Sequence, residues 1–444
     1  MGHRRVPFLK VISGKFTLGL FRVLLIQPCG SRSLGAIVRD VGPRRHWYDS
    51  VPVQTLIALS FNILSLFAGG LISIFSPQFR TAPWILALFP PILTIRGGIG
   101  GIFSGNLATM LHIGLIQPRL RENTPVYYQL ISSVFVITLL DTLAMGAFSF
   151  TLNLLTGGAS LGLLYVFAVV PPVACAIAMA ISIPLTSLIA IITFRRGLDP
   201  DIMVYPILAS VNDIVVTAAF AATIFLVLSG GVYLYLLWAI FLFIVLMTGF
   251  LVWRNRDVSF FYQTIREGVT VVIMSSVFGS LNGVFLSGMT SGLMSVPGLV
   301  VLYPSLTNAL GNIGSIVGST TTTMMALGYK RSLREEVKAS LSTIAQVEAV
   351  AFLMHVVFGL VSYLLVLSAT PEATLHSLIA AALIGNLVSF LLVSLFALFV
   401  ASQAFERGLN PDNVVIPVIT TASDTVATLT LPVTLILLRV LGIV

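Results

Sequence analysis

Residues 194–217 read FRRGLDPDIMVYPILASVNDIVVT, and residues 405–428 read FERGLNPDNVVIPVITTASDTVAT. Slid onto each other by 211 residues without a gap, the two stretches agree at 11 of 24 positions. The matches include Arg196/Arg407, Gly197/Gly408, Pro200/Pro411, Asp201/Asp412, Pro206/Pro417, Asp213/Asp424 and Thr217/Thr428. Each stretch begins polar, turns apolar as if entering a membrane, and then places an aspartate well inside the apolar part. The chain around them is 57% apolar and 9% charged over 444 residues, with mean hydropathy +1.03. A soluble domain carries about 25% charged residues, so this composition belongs to a polytopic membrane protein. The abundance of Leu, Ile, Val, Ala, Gly and Phe without alternating short strands predicts helices, an all-α fold, and excludes a barrel.

Hydropathy places about eleven spans, near 53–75, 84–113, 126–155, 161–193, 203–229, 232–253, 268–290, 298–327, 340–368, 374–403 and 413–438. Basic residues alternate with them. The 47 N-terminal residues and the even-numbered connections hold 21 of the 24 Lys and Arg, leaving Arg80, Arg96 and Arg439. The positive-inside rule then predicts a cytoplasmic N-terminus and an extracytoplasmic C-terminus of a multi-pass protein in the cell membrane. The net charge of +8 reports this orientation and calls for no nucleic-acid partner. Residues 1–47 read either as a basic cytoplasmic tail or as an amphipathic helix on the lipid interface. The two cysteines, Cys29 and Cys175, have neither a disulfide framework nor metal-ligand spacing.

The duplication is wider than the opening stretches. Residues 83–114 match residues 297–328 at an offset of 214, with Pro83/Pro297, Pro90/Pro304, Gly97/Gly311, Gly100/Gly314, Thr109/Thr323 and Gly114/Gly328 in register. Tyr48/Tyr262 fits the same offset. The expectation is two five-helix repeats, 48–229 and 262–444, joined by a linker helix and loop at 230–261. Five crossings would invert the second repeat, and the extra helix restores its orientation. The repeats are therefore expected to be parallel, related by a pseudo-two-fold axis along the membrane normal. Equivalent residues can then face one another at one depth.

Four acids fall inside spans: Asp141, Asp213, Glu348 and Asp424. Asp213 and Asp424 each lie 12 residues past an aspartate at the start of their segment, which puts them about 18 Å into a core about 30 Å thick. An aspartate there costs about 2.5–3.5 kcal/mol on the insertion scale, and two facing each other repel. A bound cation relieves both. Pro206 and Pro417 each remove a helical hydrogen bond seven residues before the acids, and Thr217 and Thr428 follow one turn after them. The runs GGIGG and GNIGS allow close helix approach, and Asn106, Asn308, Asn312 and Thr320 to Thr323 add oxygens. With no His or Cys beside the acids, the oxygen set favours a hard cation, Mg²⁺, Mn²⁺ or Ca²⁺. Asp141 and Glu348 fit either helix-to-helix bonding or a second ion site. Arg96, matched by Leu310, either neutralises an acid such as Asp141 or lies near a pore mouth.

With these residues in view, LFPPILTIRGGIGGIFSGNLAT and GLDPDIMVYPILASVNDIVVT resemble the membrane domain of MgtE-type magnesium channels. They resemble more closely the solute carrier family 41, whose members carry two such domains in one chain. The resemblance covers residues 48–444 and implies a divalent-cation pathway lined by the second and fifth spans of each repeat. It implies that Asp213 and Asp424 bind a hydrated ion, with the backbone carbonyls of Ala209 and Thr420 one turn earlier. The Gly-Asn of the family's second span survives as Gly311-Asn312, whereas the first repeat has Gly97-Gly98. Asn410 replaces the acid that Asp199 retains, so the halves are not equivalent. MgtE channels also carry a large acidic cytoplasmic sensor, and gating by it is not carried over to this chain.

The sequence thus predicts a Mg²⁺ transporter and not an enzyme. Its partners are the metal ion and the lipid membrane, and it is either a monomer with an internal pseudo-dimer or a homo-oligomer. Channel and Na⁺- or H⁺-coupled exchanger are both compatible with these residues, Asp141 and Glu348 being natural coupling sites. An intramembrane aspartyl enzyme is the remote alternative, and neither acid sits in the Gly-x-Gly-Asp context it would need. The surroundings of the acids lack the basic and aromatic residues an organic anion requires, and leave a small organic cation open.

Overall fold

The computed structural model describes residues 51–443 except 113, 196–199, 297, 327–332, 368–371 and 408–410. The expectations for residues 1–47, for Asp199 and for Asn410 fall outside the described residues, as do those for the side chains of Pro206 and Pro417. Among the described residues there are eleven long helices: α1 (Val51–Ser73), α2 (Trp84–His112), α3 (Pro125–Leu155), α4 (Leu164–Arg195), α5 (Pro200–Ser229), α6 (Val232–Arg254), α7 (Ser259–Gly288), α8 (Leu299–Ala326), α9 (Leu333–Val366), α10 (Leu375–Glu406) and α11 (Pro411–Val440). There is no strand among the described residues. The protein is an all-α, multi-pass membrane protein.

Over their described residues, ten of these helices are long and apolar enough to cross a membrane. The eleventh expected span, 268–290, falls on α7, whose apolar part is Val272–Gly288. Arg266 and Glu267 stand near the start of α7, ahead of this uncharged stretch. Helices also run past the apolar limits elsewhere. Helix α9 begins at Leu333, with Glu335 and Glu336 in its first turn, where carboxylates complement the positive end of the helix dipole. Gly230 and Gly231, with φ of 63° and 52°, make the two-residue turn between α5 and α6. That left-handed backbone suits residues without a Cβ.

The packing follows a two-fold pattern with one exchange. Helix α1 lies against α8 and α9, from the far half of the chain, as well as against α5; α7 lies against α2, α3 and α11. Within each half, α4 packs on α5 and α10 on α11. The two first helices have thus changed places. Glycines permit this. A Cβ on Gly69 would stand 2.2 Å from the Val301 carbonyl oxygen, and one on Gly283 would stand 2.0 Å from that of Ala87. Both partners of this contact, Gly69/Gly283 and Ala87/Val301, are separated by 214 residues. Backbone-to-backbone approach of this kind is how helices associate in lipid, where apolar burial gives no advantage. Helix α6 packs at the edge against α3, α4 and α5, and only Leu237 and Thr248 of it are buried.

Candidate functional site

The second and fifth long helices of each half converge on one partly open cavity of about 30 Å³, room for roughly two waters. Helix α2 supplies Leu93, Thr94, Arg96 and Gly97, and α8 supplies Thr307, Asn308, Gly311 and Asn312. Helix α5 contributes Ala209 and Asp213, and α11 contributes Thr420 and Asp424. The acids come from helix midpoints, since Asp213 lies near the centre of Pro200–Ser229 and Asp424 near that of Pro411–Val440.

Each acid is bonded across the two-fold pattern by the same position of the opposite half. Asn308 of α8 donates its amide to Asp213 Oδ2. Thr94 of α2, the residue 214 positions earlier, donates its hydroxyl to Asp424 Oδ2 at 2.8 Å. The rest of the surroundings differ. Ser65 of α1 also donates to Asp213 Oδ2, at 2.9 Å, and Gly279 stands at the matching place in α7. Arg96 pairs with Asp213, Nη2 to Oδ1 at 2.6 Å, and its Nη1 donates to the Ala209 carbonyl at 2.9 Å. Of the two roles left open for Arg96, neutralising an acid is the one observed, and the acid is Asp213 rather than Asp141. Asp213 is 1% exposed, whereas Asp424 is only partly buried.

Seven candidate site residues singled out in the sequence therefore line the cavity: Arg96, Ala209, Asp213, Asn308, Asn312, Thr420 and Asp424. Asn312 donates to Asn62 Oδ1 at 3.1 Å, as does Ser210 at 3.2 Å. Asn62 also takes the Ser305 hydroxyl on its carbonyl at 2.8 Å, so it ties α1 to α5 and α8. Thr217 and Thr428 do not line the cavity, because a further turn carries them behind its wall. Thr428 donates to the Asp424 carbonyl at 2.7 Å and shares a 2.8 Å hydrogen bond with Tyr303. Thr217 is buried, and its hydroxyl has no hydrogen-bond partner.

Asp141 and Glu348 also lie away from the cavity. The Ser276 hydroxyl donates to Asp141 Oδ1, and the Asn386 amide donates to Glu348 Oε1 at 2.7 Å. The second oxygen of each is buried without a hydrogen-bond partner. Two residues unnamed by the sequence reading, Thr94 and Ser65, are direct partners of the acids. Thr94 carried a signal, since it aligns with Asn308 in the duplication. Ser65 carried none, because its counterpart at the 214-residue offset is Gly279.

Comparison with known proteins gives the family. The family model MgtE, described as a divalent cation transporter, matches two segments, residues 89–223 and 303–434. Solute carrier family 41 member 3 of Mus musculus is 24% identical over 387 residues, covering 81% of this chain and 77% of the mouse protein. The Rattus norvegicus protein of the same description is 23% identical over 287 residues, covering 62% of this chain and 60% of its own. No solved structure matches the chain.

Proposed function

The chain belongs to the MgtE family of divalent cation transporters, and from that premise we propose that it carries Mg²⁺ between the α2–α5 and α8–α11 pairs, with Asp424 and Asp213 as carboxylate ligands. One observation carries the reading: two mid-helix carboxylates, one from each half, open on a single cavity. Its other polar lining consists of Arg96 and of the hydroxyls and amides of Thr94, Thr307, Asn308, Asn312 and Thr420. Oxygen donors without imidazole or thiolate suit a hard divalent ion, Mg²⁺ or Mn²⁺. Ala209 and Thr420 are placed to offer carbonyls and Asn312 an amide oxygen. Thr217 and Thr428 are left out of this set, because they lie behind the wall. The two repeats of the proposal are 48–229 and 262–444, with residues 230–261 as the link and the N-terminus in the cytoplasm.

Exchange for Na⁺ or H⁺ is a second reading, favoured by the unpartnered buried oxygens of Asp141 and Glu348. One experiment addresses both. Mg²⁺ flux into proteoliposomes is measured for wild type, Asp213→Asn, Asp424→Asn, Asp141→Asn and Glu348→Gln, with and without an opposing Na⁺ gradient. Flux is expected to vanish in the first two variants. Equal flux in wild type and both would make the paired acids structural. Under coupling, Asp141→Asn or Glu348→Gln keeps Mg²⁺ movement and loses its response to Na⁺ or pH. An unchanged response in both variants sets coupling through these acids aside.

A further inference from the structure

We propose that Arg96 is a tethered competitor of the transported cation: its guanidinium holds the first half's carboxylate and carbonyl, and the ion gains Asp213 when Arg96 leaves. The inference rests on reading the cavity as the ion site. Arg96 bonds Asp213 at 2.6 Å and the Ala209 carbonyl at 2.9 Å, the two groups of α5 that a bound cation would take. In the second half, Leu310 stands where Arg96 stands in the first, and Asp424 takes its cross-half hydrogen bond from a neutral hydroxyl, Thr94. Among the described residues, Arg96 is the one cationic side chain on the cavity wall. The internal cation thus serves one acid only.

Charge balance favours the exchange once the guanidinium has left the carboxylates. With Arg96 seated, two carboxylates and one guanidinium sum to one negative charge. Adding a divalent ion beside the seated guanidinium gives a net positive, like-charged cluster in a low-dielectric interior, where repulsion is strong. With Arg96 displaced, two carboxylates and one divalent ion are neutral. Geometry permits the displacement. The Nε of Arg96 has no hydrogen-bond partner, so a small number of contacts hold the group. A Cβ built on Gly97, next along α2 and on the same wall, would meet nothing within 4 Å. Withdrawal of the guanidinium would also enlarge a cavity that now has room for about two waters.

The test is equilibrium Mg²⁺ binding to the purified full-length protein, read from the rise of its thermal unfolding midpoint with Mg²⁺ concentration. Wild type is compared with Arg96→Leu, Asp213→Asn, the double variant Arg96→Leu/Asp213→Asn, and Asp424→Asn. Removing the competitor in Arg96→Leu is expected to tighten binding by about tenfold or more. Asp213→Asn leaves the guanidinium uncompensated beside Asp424 and is expected to bind about tenfold more weakly than the double variant. If Arg96→Leu does not fold, that second comparison decides alone, because the double variant removes both charges together. Binding by Arg96→Leu no tighter than wild type, or by the double variant no tighter than Asp213→Asn, overturns the proposal. Asp424→Asn separates the two readings. If it binds like wild type, the cavity is not the ion site. If it loses binding while the Arg96 comparisons show no gain, the cavity reading stands and the competitor alone fails.

Discussion

Asp213 takes bonds from Ser65, Asn308 and Arg96, and Asp424 takes one from Thr94. The imbalance traces to single residues of the duplication, where Ser65 became Gly279 and Arg96 became Leu310. A third substitution runs the other way. Tyr303 stands where the first half has Phe89, the two rings 6.1 Å apart. Its hydroxyl serves Thr428, while Thr217, the counterpart of Thr428, has no partner. Tyr303→Phe should make the second half like the first. Hydrogen bonds inside membrane proteins are worth about 0.6 kcal/mol on average, and Thr428 keeps its bond to the Asp424 carbonyl. The expected loss of stability is therefore about 0.5–1.5 kcal/mol, with Mg²⁺ flux retained. Chemical unfolding in detergent would show it, and a loss of flux without a loss of stability would place Tyr303 in the pathway instead. The sequence displayed the acids at this scale, because a repeated aspartate in an apolar segment has few purposes. It did not display the partner of Arg96, since one arginine with several buried acids within reach pairs according to packing, not spacing.

The eleven long helices were legible as elements because hydropathy and flanking charge mark them. Their exchange was not, since α1 and α7 choose neighbours through packing that no local pattern records. In retrospect Gly69 and Gly283 were the trace, as they keep the 214-residue offset along with their partners Val301 and Ala87. Gly69→Ala and Gly283→Ala would each put a methyl within 2.2 Å of a carbonyl oxygen, which forces the helices apart. Overpacking costs about 1–3 kcal/mol. Here it also moves α8 or α2, which carry Asn308, Thr94 and Arg96 against the acids. Both stability and flux should fall. Gly249→Ala, on α6, meets nothing within 4 Å and should change neither. Thermal unfolding and flux assays on the three variants decide the matter. A Gly283→Ala protein as stable and active as Gly249→Ala would mean that α7 does not hold α2 in place.

On the scale of the whole molecule, parity dominates. In the proposed arrangement of two parallel five-helix repeats, both enter the membrane in the same sense, and α6 would supply the odd crossing. The surroundings of α6 fit a topological role. Most of its large side chains, Leu236, Leu242, Phe243, Leu246, Met247 and Phe250 among them, are exposed in the structure, as expected of a helix facing lipid. Tyr233, Tyr235 and Trp238 near one end and Trp253 at the other are exposed too, in the places where aromatic residues anchor a span at the two interfaces. Its identity should therefore matter little and its presence a great deal. Deleting residues 232–254 would set the orientation of the second half against its own basic connections. It would separate α1 from α8 and α7 from α2, and so dismantle the cavity. Replacing the same residues with an unrelated Leu/Ala helix of equal length, keeping Arg254 and the Gly230-Gly231 turn, should retain most of the Mg²⁺ flux. Flux assays in proteoliposomes distinguish the outcomes. A deletion variant that still transports would show that the halves need not be parallel. A replacement variant that folds and fails to transport would give α6 a specific part in the mechanism, one that its exposed surface does not suggest.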